Sequence, residues 1–252
     1  MAIEWTREPR SERGVLERGF GLEVSGRRVP GLLWTPQAAS GPRPLVLLGH
    51  GGSLHKRSAY ILGLARRLVR HQDFAAAAID GPVHGDRRPD GGRDPAVVGP
   101  DFRKEWERPG FSDDMVEDWK ATLDALSKLP EVGEAAVGYW GLSMGTICGL
   151  PFVAAEPRVR AAVLGLMGVQ GPTGRRMADD ARRLRCPVLF LQQWDDELVP
   201  RERAAALFDA IASPDKQLHA NPGRHAAVPA REIRASEDFL ALHLAHAGRQ
   251  AD

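Results

Sequence analysis

The chain has 252 residues, an apolar share of 43% and a formal net charge of +1, which fits one large globular domain or two small ones. Its arginines are scattered among carboxylates, so charge offers no case for nucleic acid or an acidic membrane surface as a partner. No apolar run approaches the ~20 residues that span a bilayer, the charged start Met1-Ala2-Ile3-Glu4 does not read as a secretory signal, and a cytoplasmic location is the expectation.

After a polar leader, Gly19 to Val24 and Val29 to Trp34 read as two strands joined at Ser25-Gly26-Arg27-Arg28. Leu45-Val46-Leu47-Leu48 is a continuous apolar run of the kind buried on both faces of a parallel sheet, and it ends in Gly49-His50-Gly51-Gly52-Ser53. Ser58 to Arg70 has helical spacing, and Phe74 to Ile79 is the next strand, closed by Asp80-Gly81-Pro82. The polar segment that follows is the longest irregular stretch. Structureless loops of that length are uncommon unless they act as lids or binding loops, so 83–111 is the candidate for a small lid, with Phe102, Trp106 and Phe111 to fold over a pocket.

Ser112 to Leu129 is an amphipathic helix with Ser112 as its cap and Met115, Val116, Trp119, Leu123 and Leu126 on the buried stripe. A strand over Ala135 to Trp140 leads into Gly141-Leu142-Ser143-Met144-Gly145, and Thr146 to Ala155 is a helix of small and apolar residues. Strand, turn and helix in that order are what a nucleophile elbow requires: a sharp turn that holds a serine hydroxyl in open space. Arg160 to Leu166 is another strand, and Met167 to Arg185 leaves room for one small helix but not for a cap domain. Strand Pro187 to Gln192 delivers Trp194-Asp195-Asp196-Glu197-Leu198-Val199-Pro200, Arg201 to Ala212 is a helix, strand Lys216 to Ala220 ends in Asn221-Pro222-Gly223-Arg224-His225, and Pro229 to Ala247 closes the chain as a helix. The alternation predicts a doubly wound, mainly parallel sheet of about eight strands with helices on both faces, as a single domain over 1–252 without a large cap.

In such sheets the loops at the carboxyl ends of the strands converge on one edge, where ligands bind. Four of them carry chemistry here: His50-Gly51-Gly52, Ser143, Asp195-Asp196 and His225. A serine is a weak nucleophile at neutral pH and needs a base in reach. His225 follows a strand and a Pro-Gly turn and can take and return a proton near its ordinary pKa of about 6.5. An acid must then orient the imidazole, and Asp195 and Asp196 both qualify chemically. The N–H of Met144, just after the serine, is a donor for a tetrahedral oxyanion. Cys148 and Cys186 read as small buried apolar residues. The histidine pairs His50/His55 and His243/His246 lack a third converging ligand, so neither a metal nor another cofactor is expected.

The motifs Gly49-His50-Gly51-Gly52, Asp80-Gly81-Pro82-Val83-His84-Gly85, Gly141-Leu142-Ser143-Met144-Gly145, Asp196-Glu197-Leu198-Val199-Pro200 and Gly223-Arg224-His225 resemble the α/β-hydrolase superfamily. The likeness is to its esterase and dienelactone-hydrolase-like branch and runs from about Gly19 onward. It implies a Ser-Asp-His triad of Ser143, Asp196 and His225, with Asp196 chosen over Asp195 because the acid in this family precedes a segment ending in Val-Pro. It also implies an oxyanion hole of Met144 and a residue of the first glycine loop, Gly52 ahead of Gly51 or Ser53. Dienelactone hydrolases carry cysteine where this chain has Ser143, which argues against their substrate. His84, Trp106 and Trp194 are the candidates for a substrate pocket. The implied activity is cleavage of carboxylic esters through an acyl-enzyme. A thioesterase or acyl-peptide hydrolase would use the same machinery, and a non-catalytic fold member binding a ligand or protein is the alternative of another class. The expected partner is a small-molecule acyl substrate, with a homodimer left open.

Overall fold

The computed structural model describes residues 2–245. Two short exposed strands, β1 (Glu4–Trp5) and β2 (Arg10–Glu12), precede a long hairpin of β3 (Val15–Val24) and β4 (Arg27–Pro36). The repeating part follows: β5 (Leu45–Gly49), α1 (Ala59–Gln72), β6 (Ala75–Ile79), α2 (Pro95–Glu107), α3 (Phe111–Leu126), β7 (Val137–Gly141), α4 (Met144–Ala155), β8 (Val159–Gly165), α5 (Gly174–Ala181), β9 (Val188–Gln193), α6 (Arg201–Ala210), β10 (Lys216–Asn221) and α7 (Ala230–Ala245). His246 and the end of the expected closing helix lie outside the described residues.

One sheet joins these strands in the order β1-β3-β4-β6-β5-β7-β8-β9-β10, with β2 paired beside β3. Pairing is parallel from β6 through β5, β7, β8 and β9 to β10, and antiparallel among β1, β2, β3, β4 and β6. The central strands are apolar throughout because both faces are covered. Leu45 and Leu47 of β5 point into a core shared with Trp119 of α3, Leu150 of α4, Met177 of α5 and Leu207 of α6. Val46 and Leu48 point the other way, onto Leu64 and Leu68 of α1 and Leu240 and Leu244 of α7.

From β5 the chain runs through α1 to β6 on one side and then returns through α3 to β7 on the other. The strand order therefore reverses at β5, and a crevice opens there beyond the carboxyl ends of the strands. Gly49, the last residue of β5, is level with Gly141, the last of β7, so the glycine loop and the Ser143 turn leave the sheet side by side. At the far edge Gln193 of β9 is level with Asn221 of β10, which brings out the Asp195-Asp196 and His225 loops together.

Three expectations need correction. The sheet has ten strands among the described residues rather than about eight, because β1 and β2 add to the antiparallel edge; all five of their residues are exposed, so they carry no hydrophobic pattern. The 83–111 stretch is not a structureless loop: it holds a short 3₁₀ turn (Gly85–Arg87) and the 13-residue α2, capped by the Asp94 carboxylate on the Ala96 N–H. The only buried residue of α2 is Val98, too little for an amphipathic signature. Finally, Ser112 does not cap α3; Gly110, at φ 83°, precedes the first turn and Ser112 is buried inside the helix.

Candidate active site

The chain turns at Ser143, which takes φ 56° and ψ −117° between β7 and α4. This conformation is costly for a residue with a Cβ and persists only where the surroundings enforce it. Ser143 N–H donates to Gly165 O at 2.9 Å. The buried Thr146 hydroxyl accepts from Gly165 N–H at 2.9 Å and lies 2.9 and 2.7 Å from the carbonyls of Gly141 and Gly165, so it ties the turn to β8. Gly145 is needed for a steric reason, since a Cβ there would sit 2.5 Å from the Gly49 carbonyl oxygen. The same close approach presses the start of α4 against the end of β5.

His225 meets this serine from the β10 loop. Its Nε2 lies 2.9 Å from Ser143 Oγ and its Nδ1 lies 2.7 Å from Asp196 Oδ2. The other Asp196 oxygen accepts the N–H groups of Leu198 at 2.8 Å and Val199 at 2.9 Å, and the side chain is only 3% exposed. A carboxylate so held is fixed in direction and presents an acceptor to Nδ1, which favours the Nδ1–H tautomer of His225 and leaves the Nε2 lone pair facing Ser143 Oγ. Asp195 points elsewhere: it is 57% exposed, accepts the Gly223 N–H at 3.0 Å and lies 3.5 Å from Arg201. It shapes the neighbouring loop without touching His225. Glu197, overlooked in the sequence, accepts the backbone N–H of His225 at 3.0 Å, and that bond foremost holds its carboxyl down at about 2.

Beside Ser143, the glycine loop is pinned at alternate amides. Gly51 N–H donates to Tyr60 Oη at 2.6 Å and Ser53 N–H to His84 Nε2 at 2.9 Å. Among the described residues, the N–H groups of Gly52 between them and of Met144 across from them have no hydrogen-bond partner. Behind the loop, His50 is buried with Nδ1 2.9 Å from Gly51 O and Nε2 accepting Gly81 N–H at 2.9 Å; burial pushes its pKa down to about 4. A wholly buried carboxylate, Asp80, accepts the backbone N–H groups of Lys56 at 2.9 Å and Asp86 at 2.8 Å and pairs with the Lys56 ammonium, which also reaches Asp86 at 2.7 Å. Lys56 and Asp86 were not recognisable as its partners because 24 and 6 residues separate them from Asp80.

The three pocket candidates fare differently. His84 is fully buried, with Nδ1 2.7 Å from Pro82 O and Nε2 occupied by Ser53; it supports the glycine loop from behind and is not an exposed pocket wall. Trp106 stacks on Phe102 at 6.0 Å and donates its indole N–H to Thr173 Oγ1 at 2.7 Å, joining α2 to the loop before α5. Trp194 is 48% exposed beneath the Arg201 guanidinium, 4.2 Å from the ring centre, and its backbone N–H donates to Asn221 O at 2.6 Å. Burial raises the Cys148 thiol to about 12 and the Cys186 thiol to about 11, which leaves both unreactive at neutral pH.

A reversed strand order at β5, a strained serine between strand and helix, and acid and base loops at the far edge together define an α/β-hydrolase. No protein-family model matches the sequence, and a search of curated proteins finds no match either. Among solved structures the chain is similar to a cold-adapted esterase from an Arctic intertidal metagenomic library: 42% identity, TM-score 0.86, covering 96% of this chain and 99% of that one. The fold is also that of an acetyl xylan esterase from Paenibacillus sp. R4 (17% identity, TM-score 0.72, covering 96% and 88%). It is likewise that of a dienelactone hydrolase-like promiscuous phosphotriesterase from metagenomic libraries (23% identity, TM-score 0.74, covering 92% and 98%). The chain belongs to the same esterase family as that cold-adapted enzyme, with the α/β-hydrolase fold. Among the described residues no helix is long and apolar enough to cross a membrane.

Proposed function

We propose that the protein is a serine hydrolase that cleaves carboxylic esters of small molecules through an acyl-enzyme. The observation that carries this reading is the unbroken line from Asp196 Oδ2 to His225 Nδ1 at 2.7 Å and from His225 Nε2 to Ser143 Oγ at 2.9 Å. The similarity to an esterase over nearly the whole of both chains supports the choice of an ester as substrate.

In this reading His225 Nε2 takes the hydroxyl proton as Ser143 Oγ attacks the ester carbonyl. Asp196 holds the ring and stabilises the imidazolium that forms. The carbonyl oxygen becomes an oxyanion and is met by the free N–H groups of Met144 and Gly52, each worth about 10² to 10³ in rate. Their lack of other partners matters, because a donor already engaged would have to break a bond to serve. Collapse expels the alcohol, which takes the proton from Nε2; water, activated by the same nitrogen, then releases the acid.

The test is Ser143→Ala assayed on short p-nitrophenyl esters. Loss of turnover to the level of the residual oxyanion site is expected, and undiminished turnover would remove the proposal.

A further inference from the structure

Two amides of the glycine loop are tied to side chains from outside the loop, and the amide between them is the free one. Tyr60 holds Gly51 and His84 holds Ser53, leaving Gly52 N–H without a partner among the described residues. Of the two anchors the His84 bond bears more directly on Gly52, because Ser53 takes φ 59°, a left-handed conformation that an ordinary side chain resists. Without a partner for its N–H, Ser53 is free to relax to negative φ, and the Gly52–Ser53 peptide plane would turn with it.

The tautomer of His84 follows from its neighbours. Pro82 O can only accept and Ser53 N–H can only donate, so the proton is on Nδ1 and the lone pair on Nε2. The ring is buried between His50, at 5.3 Å between centres, and Phe102 of α2, which meets it edge-on at 5.3 Å. Phe102 in turn stacks on Trp106, which bonds Thr173. Asp80, Arg88, His50 and His55 are the charged or titratable groups that face it. Burial, the largest influence on it, favours the neutral ring that this role needs.

We propose that His84 is a positioning residue for ester cleavage, aiming the Gly52 N–H at the developing oxyanion by accepting the Ser53 N–H at Nε2, and held to that task by Phe102 of α2. The inference rests on the reading of Ser143 as nucleophile and Gly52 as oxyanion donor. It assigns α2 a role as a brace behind the oxyanion loop.

The two ends of the ring can be tested separately, since a glutamine carbonyl reaches the Nε2 position whereas an asparagine amide reaches only as far as Nδ1. His84→Gln, His84→Asn and His84→Leu are compared in kcat and KM on a p-nitrophenyl ester and in affinity for an alkyl boronic acid, with active sites counted by a fluorophosphonate. Misplacement of a reacting group by about 1 Å costs on the order of 10² in rate. His84→Asn and His84→Leu should therefore lose 10- to 100-fold or so in kcat and in boronate affinity, with KM nearly unchanged, while His84→Gln stays within a few-fold of the parent. If His84→Leu does not fold, the contrast between Gln and Asn decides alone. Equal kcat in Gln and Asn, or losses that appear only as fewer active sites or a lower Tm, would overturn the proposal and leave His84 a packing residue. Activity retained in Ser143→Ala would instead overturn the serine mechanism, so the two failures are told apart.

Discussion

Acid should weaken this fold in a pH range set by its buried histidines, and His50 allows the effect to be sized. Both of its nitrogens are committed, Nδ1–H to Gly51 O and Nε2 to Gly81 N–H, and a proton on Nε2 would turn the second contact into two opposed donors in a buried site. Burial lowers the pKa from 6.5 to about 4. In the unfolded chain the same imidazole binds a proton below about 6.5. Between these values the unfolded state holds more protons than the folded one, so stability rises with pH across the window and is flat for this group above and below it. At about 1.4 kcal/mol per pH unit, the stability present above pH 6.5 and lost by pH 4 is about 3 kcal/mol. Burial also lowers His84, which acts in the same direction. Carboxylates held down by partners, Asp86, Glu156 and Glu237 among them, add their loss only below about pH 4.5, the ordinary range of the unfolded groups. Urea unfolding at half-unit steps from pH 7.5 to 4 measures the slope. His50→Gln keeps an acceptor near Gly81 N–H without a titrating ring, so it should be less stable than the parent at pH 7 and lose much of the slope. A parent protein equally stable at pH 7 and pH 4.5, or a slope unchanged in His50→Gln, would refute the reasoning.

Asp196→Asn should lower kcat by about 10³ to 10⁴, because an amide stabilises the wrong tautomer of the base, while Asp195→Asn stays within a few-fold; kcat on a p-nitrophenyl ester measures both, and the reverse ranking would contradict the assignment. Gly145→Ala should lower stability by about 3 kcal/mol, read as a fall in the urea midpoint, since its Cβ would meet the Gly49 backbone at 2.5 Å, which no side-chain adjustment can relieve. A midpoint within error of the parent would mean that β5 and α4 can separate freely.

The parts of this molecule legible in the sequence are those with a local signature. β5, β6, β7 and β9 are short apolar runs because each is covered on both faces, and the Ser143 turn is marked by the two glycines that its close contacts demand. The order of the Ser143, Asp196 and His225 loops follows from strands that alternate with helices. What lay beyond reading depends on contacts across the chain or on weak patterning. α2 buries a single side chain and contains Gly99 and Pro100, so no periodicity announces it. Asp195 and Asp196 are adjacent and chemically equal, and they differ only because Leu198 and Val199 turn their amides onto one of them. His84 has the look of a site-mouth residue in its motif, yet its partner Ser53 lies 31 residues away and draws the ring inward.

The central claim is that Ser143 carries the acyl group. Intact-protein mass spectrometry after reaction with a fluorophosphonate tests it most directly. One adduct per chain is expected, localised to Ser143 by peptide mapping, lost in Ser143→Ala and accompanied by complete loss of esterase activity. Activity that survives full labelling, or an adduct on any other residue of the active enzyme, would contradict the account.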